Sequence, residues 1–295
     1  MAAALGAIEG SPDDPAVIGL LDRAWRAPRA HVIGLTGPPG VGKSTLTGAL
    51  IRAWRGSGRS VGVIAVDPSS KRSGGALLGD RTRLATDPED QGIFVRSMAA
   101  RDRLGGLAGI SFAAMVLMRA VYDVVLVETV GVGQSETDVI TVADSVVFCI
   151  QPGSGDSLQF MKAGIMEVPH VIVVTKADMG QPAVRARADV RGALSLNSAG
   201  DGWDVPVLLA SASSGAGLEE VVETLDRRRA WLGEGRRLED ARAEQDRHWL
   251  AESLRDRFGR EGLAALGAAL AEHADGASPF AREAALAATL RARLG

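Results

Sequence analysis

The chain has 295 residues, a formal net charge of −3, 46% hydrophobic and 23% charged residues, which is the balance of a folded globular protein. That length buries one large core with an appendage, or two modest domains. Slight acidity and the lack of a long basic run exclude a typical nucleic-acid partner, and the longest apolar stretch, Phe112 to Val121, is interrupted by Arg119 and too short to span a membrane.

In chain order, the start has no basic region and too short an apolar stretch for a secretory signal. A short helix is expected over Asp14 to Trp25, started by Pro12 and Asp14 and stopped before Pro28, within a lead-in of residues 1–30. From 31 to 232, strand-like runs alternate with helical stretches. The strands are expected at 31–36, Val61–Asp67, Gly92–Arg96, Asp123–Glu128, Ser145–Ile150, His170–Thr175 and Val205–Ala210. Most are continuous Val/Ile/Leu runs, as in strands covered on both faces. The expectation is an α/β fold with a doubly wound, mainly parallel sheet. Residues 233–295 carry no strand candidate; Ala, Leu, Arg and Glu dominate from 236, broken only at Gly276 to Pro279, so a helical extension of two or three helices should follow. The lone Cys149 sits inside an apolar run and reads as a core thiol, so neither a disulfide framework nor a Cys-x-x-Cys metal site exists, and a cytoplasmic location is expected.

The motif with the sharpest chemistry is Gly37-Pro-Pro-Gly-Val-Gly-Lys-Ser44, between the strand 31–36 and a helix expected over Thr45 to Trp54. A strand, a glycine-rich turn and a helix start aim several backbone N–H groups at one point, where the helix dipole adds roughly half a positive charge. Gly37, Pro39, Gly40, Val41, Gly42, Lys43, Ser44 and Thr45 are therefore expected to cradle a polyphosphate. Lys43 would reach the β- and γ-phosphates, and the Ser44 hydroxyl would bind Mg²⁺. Asp67 ends the next strand at the sheet edge where ligands bind. In the following segment, Asp80 can contact Mg²⁺ or its waters, or cap a helix; Arg83 can reach developing phosphate charge, or sit on a solvated helix face. Glu128 ends another strand and can hold the metal shell, while the Gly131 N–H can sense the γ-phosphate. Gln134 could orient water or simply begin a helix.

Thr175-Lys176-Ala177-Asp178 matches the guanine-specificity element Asn-Lys-x-Asp with Thr in the first place. Asp178 would accept hydrogen bonds from guanine N1 and N2, which adenine cannot reproduce, and the Lys176 stem would lie along the base. Ser211, Ala212 and Ser213 open a loop whose N–H groups could hold the base's O6. Two specificity loops in this order favour a GTP/GDP-binding domain over a plain ATPase.

These residues carry a resemblance. Gly34 to Thr45, Val66-Asp-Pro-Ser-Ser70, Leu78-Gly-Asp-Arg-Thr-Arg83, Val127-Glu-Thr-Val-Gly-Val-Gly-Gln134 and Gly155 to Lys162 resemble the MeaB/ArgK-type phosphate-loop GTPases, the family that includes the methylmalonic aciduria type A protein. The resemblance spans about 31–232 strongly and the C-terminal helices weakly. It implies Mg²⁺-dependent hydrolysis of GTP coupled to a cobalamin-dependent acyl-CoA mutase, with the nucleotide gating cofactor delivery. It places Lys43, Ser44, Asp67, Asp80 and Glu128 in the phosphate and metal site, makes 155–162 an extra switch with Asp156 and Lys162, and implies a homodimer built by the C-terminal helices. An ordinary amphipathic helix over 157–166 is the competing reading of that switch. The departures are Thr175 for Asn, a short lead-in, and the lack of the Cys-x-Cys-Cys motif of zinc-handling relatives. Competing functions are a transport-associated ATPase or kinase, a nickel-insertion GTPase and a scaffold that binds nucleotide without turnover. Against the first stand Asp178 and the lack of a Leu-Ser-Gly-Gly-Gln signature. Against the second stand the scattered His31, His170, His248 and His273.

Overall fold

The computed structural model describes residues 1–67, 87, 89–99, 109–129, 139–153, 169–195, 202–271 and 276–294. Their seven strands are β1 His31–Thr36, β2 Val61–Asp67, β3 Ile93–Ala99, β4 Val124–Glu128, β5 Ser145–Ile150, β6 Val171–Val174 and β7 Val207–Leu209. They form one sheet in the order β3-β2-β4-β1-β5-β6-β7, with every pairing parallel. The helices are α1 Ala2–Gly10, α2 Pro15–Arg26, α3 Lys43–Gly56, α4 Gly109–Val121, α5 Gln181–Leu194, α6 Leu218–Gly233, α7 Arg237–Leu266, α8 Ala268–Ala271 and α9 Pro279–Leu294.

The Val/Ile runs are continuous because both faces are covered. Every residue of β1, β4, β5 and β6 is buried. Alternate residues serve opposite cores. Val32, Ile64, Val125 and Val146 pack with α1, α2, α4, α7 and α9, whereas Ile33, Val63, Leu126 and Val147 pack with Leu46, Leu50 and Trp54 of α3 and Val221 and Leu225 of α6. On the first face, α5 covers Phe148, Ile150, Ile172 and Val174. This is the doubly wound α/β sheet of the phosphate-loop NTPase fold.

Several boundaries differ from the sequence reading. β3 runs on to Ala99, paired with β2 along its whole length. As an edge strand it needs no continuous apolar run, and its Arg96 meets Glu9 of α1 at 2.5 Å. The lead-in holds two helices, not one. α1 escaped notice because only Leu5 and Ile8 of its nine residues are buried, too few to make a pattern. α3 starts at Lys43, two residues before the expected Thr45. Breaks other than Gly276 to Pro279 interrupt the C-terminal helices: α7 is kinked at Gly259 (φ 71°, ψ −175°), and Gly267 ends it.

The two ends of the chain share one layer. Phe112 of α4 stacks on Trp249 of α7 (5.1 Å, 16°), which in turn meets Phe280 of α9 at 4.8 Å. Trp25 of α2 donates to Asp246 at 2.8 Å, and Asp13 takes Arg257 and Arg291 from α7 and α9. α7 is also tied to the sheet by polar groups. The Arg242 guanidinium meets both oxygens of Asp144 (2.8 and 2.7 Å), whose carboxylate also accepts the Val32 N–H at 2.8 Å. Gln245 donates to the Ile140 and Ala143 carbonyls, holding the 3₁₀ turn Val139–Thr141 that precedes β5.

Beside this pair, His31 is 4% exposed, with Nε2 2.8 Å from the Ser145 hydroxyl. Burial pushes its pKa down to about 4; Asp144 and Asp226 oppose the shift, and Arg229 and Arg242 add to it. The unfolded chain therefore binds a proton below about pH 6.5 that the folded chain refuses until about pH 4, so stability falls as pH falls through that window. The expected slope approaches about 1.4 kcal/mol per pH unit, for a total of about 3 kcal/mol. Urea midpoints between about pH 7 and about pH 4.5 should drop more steeply in the wild type than in His31→Asn. Parallel curves would remove His31 as the cause.

Candidate functional site

The phosphate-type loop connects β1 to α3 at the carboxyl edge of the sheet, beside β4 and β5. Its backbone explains its residue types. A Cβ on Gly37 would lie 2.2 Å from the Cys149 carbonyl oxygen, so β5 approaches too closely for any side chain there. Gly42 (φ 97°) caps α3 in the left-handed region, a conformation that favours glycine. Lys43 is 7% exposed, and its Nζ donates to the loop's own Gly37 O (2.6 Å) and Pro38 O (3.0 Å). The ammonium is thus held over the loop by carbonyls that a competing anion could replace.

One residue into α3, the Ser44 hydroxyl donates to Glu128 Oε1 at 2.5 Å. Thr47, one turn further on, donates to Oε2 at 2.9 Å. Glu128 ends β4 and is 6% exposed. Two hydroxyls and a buried carboxylate therefore converge at the start of α3, an all-oxygen set of the kind hard divalent cations take. Thr47 was missed in the sequence; its place three residues after Ser44 on the helix was the available signal. The Thr129 hydroxyl, 3.2 Å from that of Thr36, joins the ends of β4 and β1 next to it. Cys149 lies behind the loop, fully buried, and burial pushes its thiol up to about 12, so it stays protonated.

The second half of the site comes from β6 and β7. Thr175 follows β6, and its hydroxyl donates toward Val41 O (2.6 Å), with Ile150 O 2.9 Å away. The residue that stands where Asn is usual therefore ties this loop to the phosphate-type loop. Lys176 takes a left-handed turn (φ 54°), and its ammonium reaches Gly40 O at 3.2 Å and Gln151 Oε1 at 2.5 Å. Gln151, which the sequence reading did not single out, is thus part of this corner. Asp178 is exposed, and its Oδ1 accepts the Ser211 hydroxyl at 2.5 Å. Ser213 lies 2.9 Å from Ser211, and Ala212 stands between them. The Ser211 hydrogen bond, more than any other contact, holds the Asp178 carboxyl below the usual carboxylate range. Asp178 is thereby kept ionised and held by a neighbouring loop.

The chain thus brings Gly37 to Thr45, Glu128, Thr175, Lys176, Asp178 and Ser211 to Ser213 to one edge of the sheet. Asp67 ends β2 at the same edge, but its side chain lies outside the described residues, as do Asp80, Arg83, Gly131, Gln134, Asp156 and Lys162. Among the described residues no cluster of three or more metal-ligating His, Cys, Asp or Glu occurs, and no helix is long and apolar enough to cross a membrane.

Comparison with known proteins finds similarity along most of the chain. A family model described as "Methylmalonyl Co-A mutase-associated GTPase MeaB" matches residues 7–265. A putative GTPase of Pyrococcus horikoshii is 43% identical over 222 residues, covering 72% of this chain and 68% of that one. The mouse mitochondrial methylmalonic aciduria type A homolog is 40% identical over 202 residues, covering 67% of this chain and 49% of its own length. Among solved structures, a LAO/AO transport system kinase superposes with a TM-score of 0.66 at 29% identity, over 98% of this chain and 92% of that one. The phosphate-type loop, the part-buried Ser44–Glu128 contact and the Asp178–Ser211 corner thus occur in a chain that belongs to the MeaB family of methylmalonyl-CoA mutase-associated GTPases.

Proposed function

We propose that this GTPase serves an adenosylcobalamin-dependent acyl-CoA mutase, with methylmalonyl-CoA mutase the first candidate, and that GTP hydrolysis gates cofactor loading and protection. The observation that carries the mutase partner is the family match over residues 7–265. The mouse relative points the same way by its name. The guanine nucleotide rests on Asp178, ionised and held by Ser211 beside the phosphate-type loop.

In this reading the γ-phosphoryl group passes to water, giving GDP and phosphate. Lys43 exchanges its loop carbonyls for β- and γ-phosphate oxygens and offsets charge that grows in the transition state. The N–H groups of Gly40 to Thr45 orient the phosphates. Thr175 keeps the base and phosphate loops at a fixed spacing. Ser44 and Glu128 have the chemistry to hold Mg²⁺, with Asp67 and Asp80 as further proposed ligands; when bound, the ion would supply positive charge against the charge that develops on the phosphates. Arg83 would act on the charge that develops on the phosphoryl group, the Gly131 N–H would sense the γ-phosphate, and Gln134, Asp156 and Lys162 would relay the nucleotide state to the mutase. The C-terminal helices beyond residue 232 build the homodimer, and the protein works in the cytoplasm.

Turnover assays with GTP or ATP, each with and without purified mutase, test the reading. GTP should be preferred at least roughly tenfold, since leaving a bidentate polar pair unmade costs on the order of 1 kcal/mol or more. Hydrolysis should be slow alone and faster with the mutase, and Lys162→Ala should lose most of that acceleration. Equal use of the two nucleotides would sink the guanine assignment. A rate indifferent to the mutase would sink the partner and leave the GTPase standing.

A further inference from the structure

The amino edge of the sheet, opposite the nucleotide loops, holds a cavity of about 140 Å³. His31 and Asp144 line it from the starts of β1 and β5. Arg29 lines it from the segment before β1, Arg229 from α6, and Arg242 from the first turns of α7.

Three guanidinium groups around so small a space repel one another, and two of them are compensated. Arg29 meets Asp123 at 2.6 Å, and Arg242 meets Asp144 at 2.7 Å. Arg229 has no carboxylate partner among the described residues; its Nη2 donates instead to the Arg29 carbonyl at 2.9 Å. That bond brings the third cation toward the other two while leaving its remaining N–H groups available. Arg229 and Arg242 both act on the buried His31, where Asp144 and Asp226 oppose them. The lining therefore carries an excess positive charge with fork-shaped donors, the arrangement that recognises planar or tetrahedral oxyanions. Size narrows the choice. The volume equals a few waters at about 30 Å³ each, well below the roughly 300 Å³ at which pockets for drug-sized ligands begin, so the space suits a small anion better than a nucleotide.

We infer that this cavity is a second anion site, distinct from the nucleotide loop, that takes a small oxyanion between Arg229 and Arg29. A bound anion would touch the segment before β1, the last helix of the sheet domain and the start of the C-terminal helical layer, joining the three. Inorganic phosphate and a short carboxylate share the required chemistry.

The test uses the full chain saturated with Mg²⁺ and a non-hydrolysable GTP analogue, so that the phosphate loop is filled through its γ-position. Calorimetric titration with inorganic phosphate, and separately with acetate, is run at constant ionic strength set by chloride. One saturable site for at least one of the two anions is expected, and the anion that binds assigns the class. Arg229→Gln removes an exposed side chain and its hydrogen bond to the Arg29 carbonyl, so its melting temperature without anion should fall only slightly, while its anion affinity should fall about tenfold or more. The same anion should raise the melting temperature of the wild type but not of the variant. Absence of saturable binding for both anions, or binding unchanged in Arg229→Gln, overturns the site.

Discussion

Lys43→Ala is expected to lower GTP turnover by roughly 10²–10³-fold, the usual result of deleting one preorganised charge from a reacting centre. The lysine is 7% exposed and held by two carbonyls of its own loop, so its ammonium is in place before substrate arrives. Little reorganisation is then needed when charge spreads over the β- and γ-phosphates. The deletion also removes hydrogen bonds to Gly37 O and Pro38 O, with an expected stability loss of about 1–2 kcal/mol. Turnover and melting temperature should be measured together. A folded variant that hydrolyses GTP within about tenfold of the wild type would contradict the role.

Arg242→Ala should cost about 3–5 kcal/mol of stability, because it leaves a buried carboxylate without its counter-charge. The Asp144 side chain is 1% exposed and that of Arg242 13%, and after the change the Val32 N–H is the one hydrogen bond among those described here that the carboxylate keeps. Burial by itself would raise the Asp144 pKa; the Arg242 hydrogen bonds and charge bring it below the ordinary carboxylate value instead. The double variant Asp144→Asn with Arg242→Met should recover much of the loss, since neither charge then remains buried. Urea unfolding of the three proteins decides the matter. A loss under about 1 kcal/mol for the single variant would place Asp144 in contact with water. Nucleotide affinity should hardly change, because the pair lies at the opposite edge of the sheet.

The contrast between these two residues tracks what the sequence disclosed. Lys43 lies in a contiguous motif, where loop geometry and chemistry are local and legible. The strands were likewise legible: in β1, β4, β5 and β6 burial on both faces leaves uninterrupted runs such as Val-Val-Leu-Val-Glu128, whereas the edge strand β3 was read short. The Asp178 corner was legible because Thr-Lys-Ala-Asp and Ser-Ala-Ser each form a short signature, even though Ser211 and Asp178 stand 33 positions apart. Arg242 belongs to a contact with a partner 98 positions away, in a helix whose charged residues all look alike. Nothing local separates it from Arg236 or Arg237, which stay exposed. α1 and the kink at Gly259 were missed for a related reason. The first depends on a distant surface to bury two side chains, and the second on a packing direction that no pattern in the helix reveals.

The aromatic and apolar layer shared by α1, α2, α4, α7 and α9 also has a consequence in time. Leu5, Val17 and Leu21 are made well before Leu254, Phe280 and Leu290, which share their core. At roughly 5–20 residues per second, the early helices wait on the order of half a minute for those partners to leave the ribosome. The strands and α3 can assemble during that interval. The first face of the sheet therefore stays incompletely covered until Leu290 has been made, so this layer, rather than the nucleotide half, is where a chain stalled before that point would meet chaperones.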